Sequence, residues 1–353
     1  MGVTTLARPY ISPTSPVVEA TTELAGELRH GAARLERDGV DRAVLASMAA
    51  AGLLAVHGPP ELGGAGAADQ RRVSELLAGA SNDAWFCWFQ HGPVVKMLAA
   101  SENTALAEAH LPALCAGTEL GGVAWSHLRT PRPSVQATRV DGGWSLSGTQ
   151  PWCTGWGLVD VVLAGALVPV SDEVVFGLVP ARESRHLRST GALALAAMGG
   201  TSTHALQLDG LFVPDADVVL RTGRGPWAER DAAANANVQP STFGVALAAL
   251  DLLGDRAPEL AADLRARVLD VRAAAYRLLD EVHPGEQTDQ RLALRAEALL
   301  LATSCCTALL TASGGKGMDL SSPAQHLLRG AAFQIVHSQA PHVRAATLDA
   351  LAA

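Results

Sequence analysis

Between about Gly117 and Val219 the helical period vanishes from this chain. Six short runs replace it: GGVAWS, SVQATRV, GWSLSG, VDVVLAGALV, EVVFGLVPA and HALQLDGLFV, separated by Gly, Pro and Asp. Short runs of this character with turn residues between them predict an antiparallel barrel or sandwich. Helical patterns flank the block on both sides. From Val17 to about Cys115, Leu24, Leu28, Ala32 and Leu35 recur at three- and four-residue steps, and Asp41 precedes Arg42-Ala43-Val44-Leu45 as an N-cap. Beyond about Ala228 the spacing predicts four antiparallel helices. The first opens at Pro240, and the second runs from Glu259 to Val282 on a stripe of Leu264, Val268, Val271, Ala275 and Leu278. The third covers Thr288 to Thr311, and the fourth runs unbroken from Ser322-Pro323 to about Leu351. The class is α+β, with a helical domain over 1–117, a β-domain over 118–222 and a helical bundle over 223–353.

A chain of 353 residues, 48% of them hydrophobic, supports two or three domains and a sizeable core. Its formal net charge of −8 argues against nucleic acid as a partner. No apolar run reads as a membrane span. The opening MGVTTLARPYISPTSPV is irregular over 1–15 and lacks a hydrophobic signal core, so a cytoplasmic location is expected. Five cysteines in such a chain are expected to be reduced thiols, with Cys305-Cys306 as small buried fillers. No cysteine or histidine spacing suggests a metal.

The stretch Gly143 to Asp160, GWSLSGTQPWCTGWGLVD, carries the chemistry. Trp152 and Thr154, two residues apart on a strand, share a face and can wall and hydrogen-bond a planar ring. A buried Trp with a satisfied Thr in an ordinary β-core is the other reading. Ser81–Gly92, SNDAWFCWFQHG, is the densest aromatic patch; it is either a helix-packing cluster or a pocket wall with His91 projecting into it.

The hairpin pattern resembles the flavin-contacting hairpin of the acyl-CoA dehydrogenase superfamily. Three further segments are similar to that family's in the same order: AAAGLLAVHGPPELGGAGA, AMGGTSTHALQLDGLFVPDADVV and SGGKGMDLSSPAQHLLRGA. The resemblance implies the family's fold and a flavin, FAD or alternatively FMN or reduced flavin supplied by a reductase, between the β-domain and the last helices. It places Trp152 beside the flavin ring, Thr154 near its N5 or O4, and Ser126 of GVAWSH at the pyrimidine side. The family's Gly-rich "T-E-P-x-A-G-S-D" loop is replaced by SHLRTPRP, where Arg129 and Arg132 can neutralise phosphate or stand as solvated loop charges. The "R-x-x-F-G" motif has no match.

The family's catalytic Glu falls on Ser338, and a Ser hydroxyl is no base without a partner. The family's reduced-flavin-dependent monooxygenases carry a His eight residues after an Arg, which from Arg329 gives His337; His91 matches their N-terminal His loosely. His337 is otherwise a packing histidine. Three functions stay open: dehydrogenation of an acyl thioester or related metabolite without the usual Glu, monooxygenation through His337, or a non-catalytic binding or assembly subunit. Expected partners are a small-molecule or carrier-bound substrate, a flavin reductase or electron-transfer protein, and further copies of the chain, as a dimer or dimer of dimers through the last helices.

Overall fold

The structure is a computed structural model and describes residues 15–352. The irregular opening stretch and its lack of a signal core fall, but for Ser15, outside the described residues. Five helices come first: α1 (Pro16–Asp38), α2 (Arg42–Ala50), α3 (Ala67–Ala80), α4 (Asn82–Ala99) and α5 (Thr104–Ala116). The expected stripe of α1 is its buried face: Leu24, Leu28, Ala32 and Leu35 all lie inside. Asp41 caps α2 by accepting the Val44 N–H at 3.0 Å. Ser81, which ends α3, caps α4 by accepting the Ala84 N–H at 3.3 Å.

The β-domain contains β1 (Gly121–Ala124), β2 (Val135–Val140), β3 (Gly143–Cys153), β4 (Val161–Val168), β5 (Glu173–Pro180), β6 (Leu187–Ala192), β7 (His204–Pro214) and β8 (Val218–Gly223). They form one sheet in the order β6-β7-β3-β2-β4-β5-β8, with β1 also on β4. The sheet is mixed rather than antiparallel throughout. β1 runs parallel to β4 from Gly121–Val161 to Ala124–Ala164, and β2 meets β4 in parallel at Gln136–Leu167. The β2–β3 hairpin intervenes before the chain returns beside β1, and a return of that length permits parallel pairing. Every residue of β4 is buried, so its sequence is a continuous apolar run without alternation.

The last part contains α6 (Arg224–Asn235), α7 (Pro240–Gly254), α8 (Pro258–Glu281), α9 (Thr288–Ser313), α10 (Pro323–Val336) and α11 (Pro341–Ala352). The final helix expected as one piece is therefore two. Pro341 suits the first turn of a helix but not its interior, and Ser338 sits at φ +53° in the break. One core cluster runs through all three parts, including Leu77 and Trp85, Leu146 and Val162, and Leu250 and Cys305.

The α9 region corrects a second expectation. Thr288–Met318 is long and apolar enough to cross a membrane by length and composition. In this fold one face of it is internal: Ala298, Leu301, Ala302, Cys305, Cys306 and Leu309 join the core, and Arg291 and Arg295 are buried along it. All five cysteines are free and buried.

Candidate functional site

β3 ends at Cys153, and the turn after it is zipped to the segment before β7. Gly155 N–H donates to the Thr201 carbonyl and Trp156 N–H to the Ser202 carbonyl, both at 3.0 Å. Gly155 has φ +80°, which favours glycine at that turn. A register shift between Gln150 and Cys153 interrupts the strand alternation. Trp152 and Thr154 consequently do not share an environment: Trp152 is 49% exposed while Thr154 is buried. A large indole left half in solvent at the end of a sheet is unusual in a β-core and offers a flat wall to a planar group. The Thr154 hydroxyl lies 2.9 Å from Thr203 Oγ1, which lies 2.8 Å from Thr201 Oγ1.

Ser126 follows β1 and opens a short 3-10 turn, Ser126–Arg129. Its buried Oγ has no hydrogen-bond partner, a deficit that a ligand's polar edge would remove. Arg129, expected to meet phosphate, is committed elsewhere. It donates to both oxygens of Asp231 on α6 at 2.8 Å, a bidentate, largely buried ion pair.

His91 is a packing residue in this fold. Its Nδ1 accepts the Gly121 N–H at 3.0 Å, which ties α4 to β1, and its Nε2 is buried without a partner. Burial pushes its pKa down to about 4, so the ring is neutral. It lies about 120–160° around α4 from Trp85, Phe86 and Phe89, the three residues on that helix whose rings meet His337. The structure therefore does not set His91 across a pocket from His337.

His337 is the residue after α10, not a helix-face residue. Its ring stacks on Phe333 with centroids 5.2 Å apart and meets Trp85, Phe86 and Phe89 edge-on at 5.7, 5.3 and 5.1 Å. Burial in this aromatic cage, then the charges of Arg295 and Arg129, push its pKa down to about 3. Nε2 lies 3.3 Å from Ser338 Oγ, and Nδ1 is buried without a partner. Ser338 thus has a nearby nitrogen, but a weakly basic one. Trp85, Phe86 and Phe89 of the α4 aromatic patch pack around this imidazole, and Trp88 packs against His57 instead.

Sequence reasoning missed Arg295. It is buried on α9 and donates to the carbonyls of Asn235 at 2.5 Å, Asn237 at 3.1 Å and His337 at 3.0 Å. Among the described residues no carboxylate pairs with it, and burial together with Arg129 pushes its pKa down to about 10. Arg291 and Arg295, four residues apart and so on one face of a helix rich in Leu and Ala, were the available signal. Thr201 and Thr203 were also missed; their two-residue spacing in GGTSTH matches a strand face.

A second buried polar cluster joins α1, α4 and α10. Ligand-type atoms of Glu36, Asp83 and His326 all lie within 4.8 Å of one another. The imidazole is fully used: Nε2 accepts the Asn82 N–H at 3.2 Å and Nδ1 meets Glu36 at 3.1 Å. Arg329 donates twice to Glu36, and although burial raises that carboxyl, the hydrogen bonds from His326 and Arg329 outweigh it and hold its pKa at about 2. Its partners mark this cluster as an internal clamp.

Residues 18–118 match the family model described as acyl-CoA dehydrogenase, N-terminal domain. Among curated proteins, the chain is 27% identical over 122 residues to 2-methylacyl-CoA dehydrogenase, mitochondrial, of Solanum tuberosum, covering 33% of this chain and 30% of that one. It is 25% identical over 182 residues to isovaleryl-CoA dehydrogenase, mitochondrial, of Arabidopsis thaliana, covering 48% and 44%. The chain thus spans less than half the length of these relatives. Among solved structures, butyryl-CoA dehydrogenase from Megasphaera elsdenii superposes with a TM-score of 0.79 at 15% identity over 97% of this chain and 100% of that one. KijD3 in complex with FMN and dTDP-3-amino-2,3,6-trideoxy-4-keto-3-methyl-D-glucose gives 0.74 at 21% identity over 97% and 94%. The flavoprotein nitroalkane oxidase gives 0.78 at 16% identity over 97% of each chain. At these identities the structural likeness establishes the fold.

Proposed function

We propose that this member of the acyl-CoA dehydrogenase superfamily, identified by its N-terminal domain and its fold, is a flavin-dependent oxidoreductase that holds its flavin at the Trp152–Thr154 turn. The half-exposed Trp152 indole, the buried Thr154 hydroxyl and the unpartnered Ser126 Oγ supply a wall and two polar contacts for a planar polar ring. A bound flavin would supply a two-electron acceptor or, when reduced, a reactant toward oxygen.

The observation that carries the reaction class is the pair His337–Ser338. The break between α10 and α11 carries a neutral imidazole beside a hydroxyl, and the count along the resembled motif from Arg329 assigns Ser338 to the position of the dehydrogenases' carboxylate base. A ring whose pKa is near 3 is a poor general base at neutral pH. It can still donate or accept a hydrogen bond, and Arg295 and Arg129 bias its surroundings toward negative charge. We read this as oxygenation of a small-molecule or carrier-bound substrate with reduced flavin from a partner reductase. The match to acyl-CoA dehydrogenases favours a second reading, desaturation of an acyl thioester with a base from another element.

Pairing of copies through the last helices fits the exposed Leu260, Leu269, Val336, Leu348 and Leu351. The test of the function is anaerobic titration of the purified protein with FMN and FAD, oxidised and reduced. Preference for reduced flavin, followed by substrate-dependent oxygen uptake, supports oxygenation. Tightly bound yellow flavin that an acyl thioester bleaches supports the second reading.

A further inference from the structure

Three threonine hydroxyls stand in line behind the proposed flavin site. Thr154 Oγ1 is 2.9 Å from Thr203 Oγ1, Thr203 Oγ1 is 2.8 Å from Thr201 Oγ1, and Thr201 Oγ1 donates to the Met198 carbonyl at 2.8 Å. All three side chains are buried. Each hydroxyl has one proton to give and lone pairs to accept with. In one order, Thr154 donates to Thr203, Thr203 to Thr201, and Thr201 to Met198. Thr154 then faces the site with lone pairs only. In the reverse order, Thr201 donates to Thr203, Thr203 to Thr154, and the Thr154 proton points into the site. The reverse order gives up the Thr201–Met198 side-chain bond, but that carbonyl keeps the Thr201 backbone N–H at 3.2 Å. Any other order leaves either a buried hydroxyl proton unpaired or two hydroxyl oxygens facing each other at 2.8–2.9 Å with no proton between them.

The backbone is strained to hold this line. Met198 and Ser202, on either side of Thr201, are non-glycine residues in the left-handed region at φ +62° and +48°. Asp83 fixes the same segment by accepting the Gly200 N–H at 2.8 Å.

We infer that Thr203 and Thr201 are positioning residues that let Thr154 alternate between donating to and accepting from the flavin N5. The inference deepens the flavin reading above and rests on it. Oxidised N5 accepts a hydrogen bond. Two-electron reduction adds a hydrogen there, taken with both electrons from the reductant, so reduced N5 is an N–H donor. One order of the hydroxyl line serves each state, which makes the pocket complementary to both.

The test is Thr203→Val. Without the middle hydroxyl, Thr154 can still donate to oxidised N5. With reduced flavin bound, its own proton has no acceptor. The ratio of reduced-flavin to oxidised-flavin Kd is therefore expected to rise about three- to tenfold, the size of one buried hydrogen bond. Thr201→Val is expected to move the ratio less and in the same direction, and Thr203→Ser to restore it. The ratio is read by anaerobic titration with FMN and FAD in both states. It is insensitive to general loss of stability, and Thr203→Ala carries the same expectation where the valine variant does not fold. A wild-type protein that binds flavin, with a Thr203→Val ratio unchanged or with both states weakened equally, overturns the relay. A wild-type protein that binds neither state overturns the flavin reading as well.

Discussion

The Arg295 guanidinium donates to the carbonyl of His337 at 3.0 Å while its other terminal nitrogen holds the carbonyls of Asn235 and Asn237. One buried side chain on α9 thus fastens the α10–α11 break to the turn between α6 and α7. The imidazole of His337 is aimed by this staple and by the Phe333 ring on which it stacks.

Arg295→Met should loosen the break. It strands at least one buried carbonyl, so the expected loss is about 1–3 kcal/mol of unfolding free energy. Urea denaturation measures it. A stability within error of the parent protein would remove Arg295 from the account.

Acid should destabilise the fold in a defined window. His337, His91 and His57 have folded pKa values pushed down to about 3, 4 and 4, with burial the leading cause in each. The unfolded chain binds these protons near pH 6.5, whereas the folded chain refuses them. Stability is therefore full above about pH 6.5 and falls as pH drops toward the folded values, by up to ~1.4 kcal/mol per pH unit for each histidine. Glu36, held at about 2, adds a loss in the same direction from about pH 4.5 downward. Asp83, raised chiefly by burial, acts in the opposite sense. Unfolding midpoints between pH 8 and pH 5 test this, and a curve flat over that range contradicts it.

Gly200 carries the strained segment beside α1 and α4. A Cβ there would lie 1.9 Å from the Leu35 carbonyl oxygen, so Gly200→Ala must shift backbone. We expect a loss of about 1–3 kcal/mol and weaker flavin binding, because Thr201 and Thr203 move with the loop. Calorimetry and flavin titration check the two halves separately.

Much of this fold was legible in local pattern. The buried face of α1, the Asp41 cap and the strand block were all written in period and turn chemistry. The parallel pairing of β1 with β4 was not, because pairing partners far apart in sequence leave no local trace. The break at His337 was visible only as Pro341, which the apolar spacing on either side outweighed. At the proposed site, Trp152 and Thr154 could be named from the hairpin and Ser126 from the resemblance of GVAWSH to the family's strand. Thr203, beside Thr154, and Arg295, beside His337, left only spacing as a trace, since each acts through a contact between segments far apart in sequence. Arg129 looked free in sequence because Asp231, its partner, lies 102 residues away.

The most direct test of the account is flavin binding by three proteins: the parent chain, Thr154→Ala and Trp152→Ala. Visible spectra and fluorescence quenching are recorded with FMN and FAD in both redox states. The account predicts that the parent binds one of these flavins. It predicts that Thr154→Ala weakens binding several-fold, about the size of one buried hydrogen bond, and that Trp152→Ala weakens it and shifts the spectrum as the ring loses its wall. Affinity and spectrum unchanged in both variants would contradict the placement of flavin at this turn.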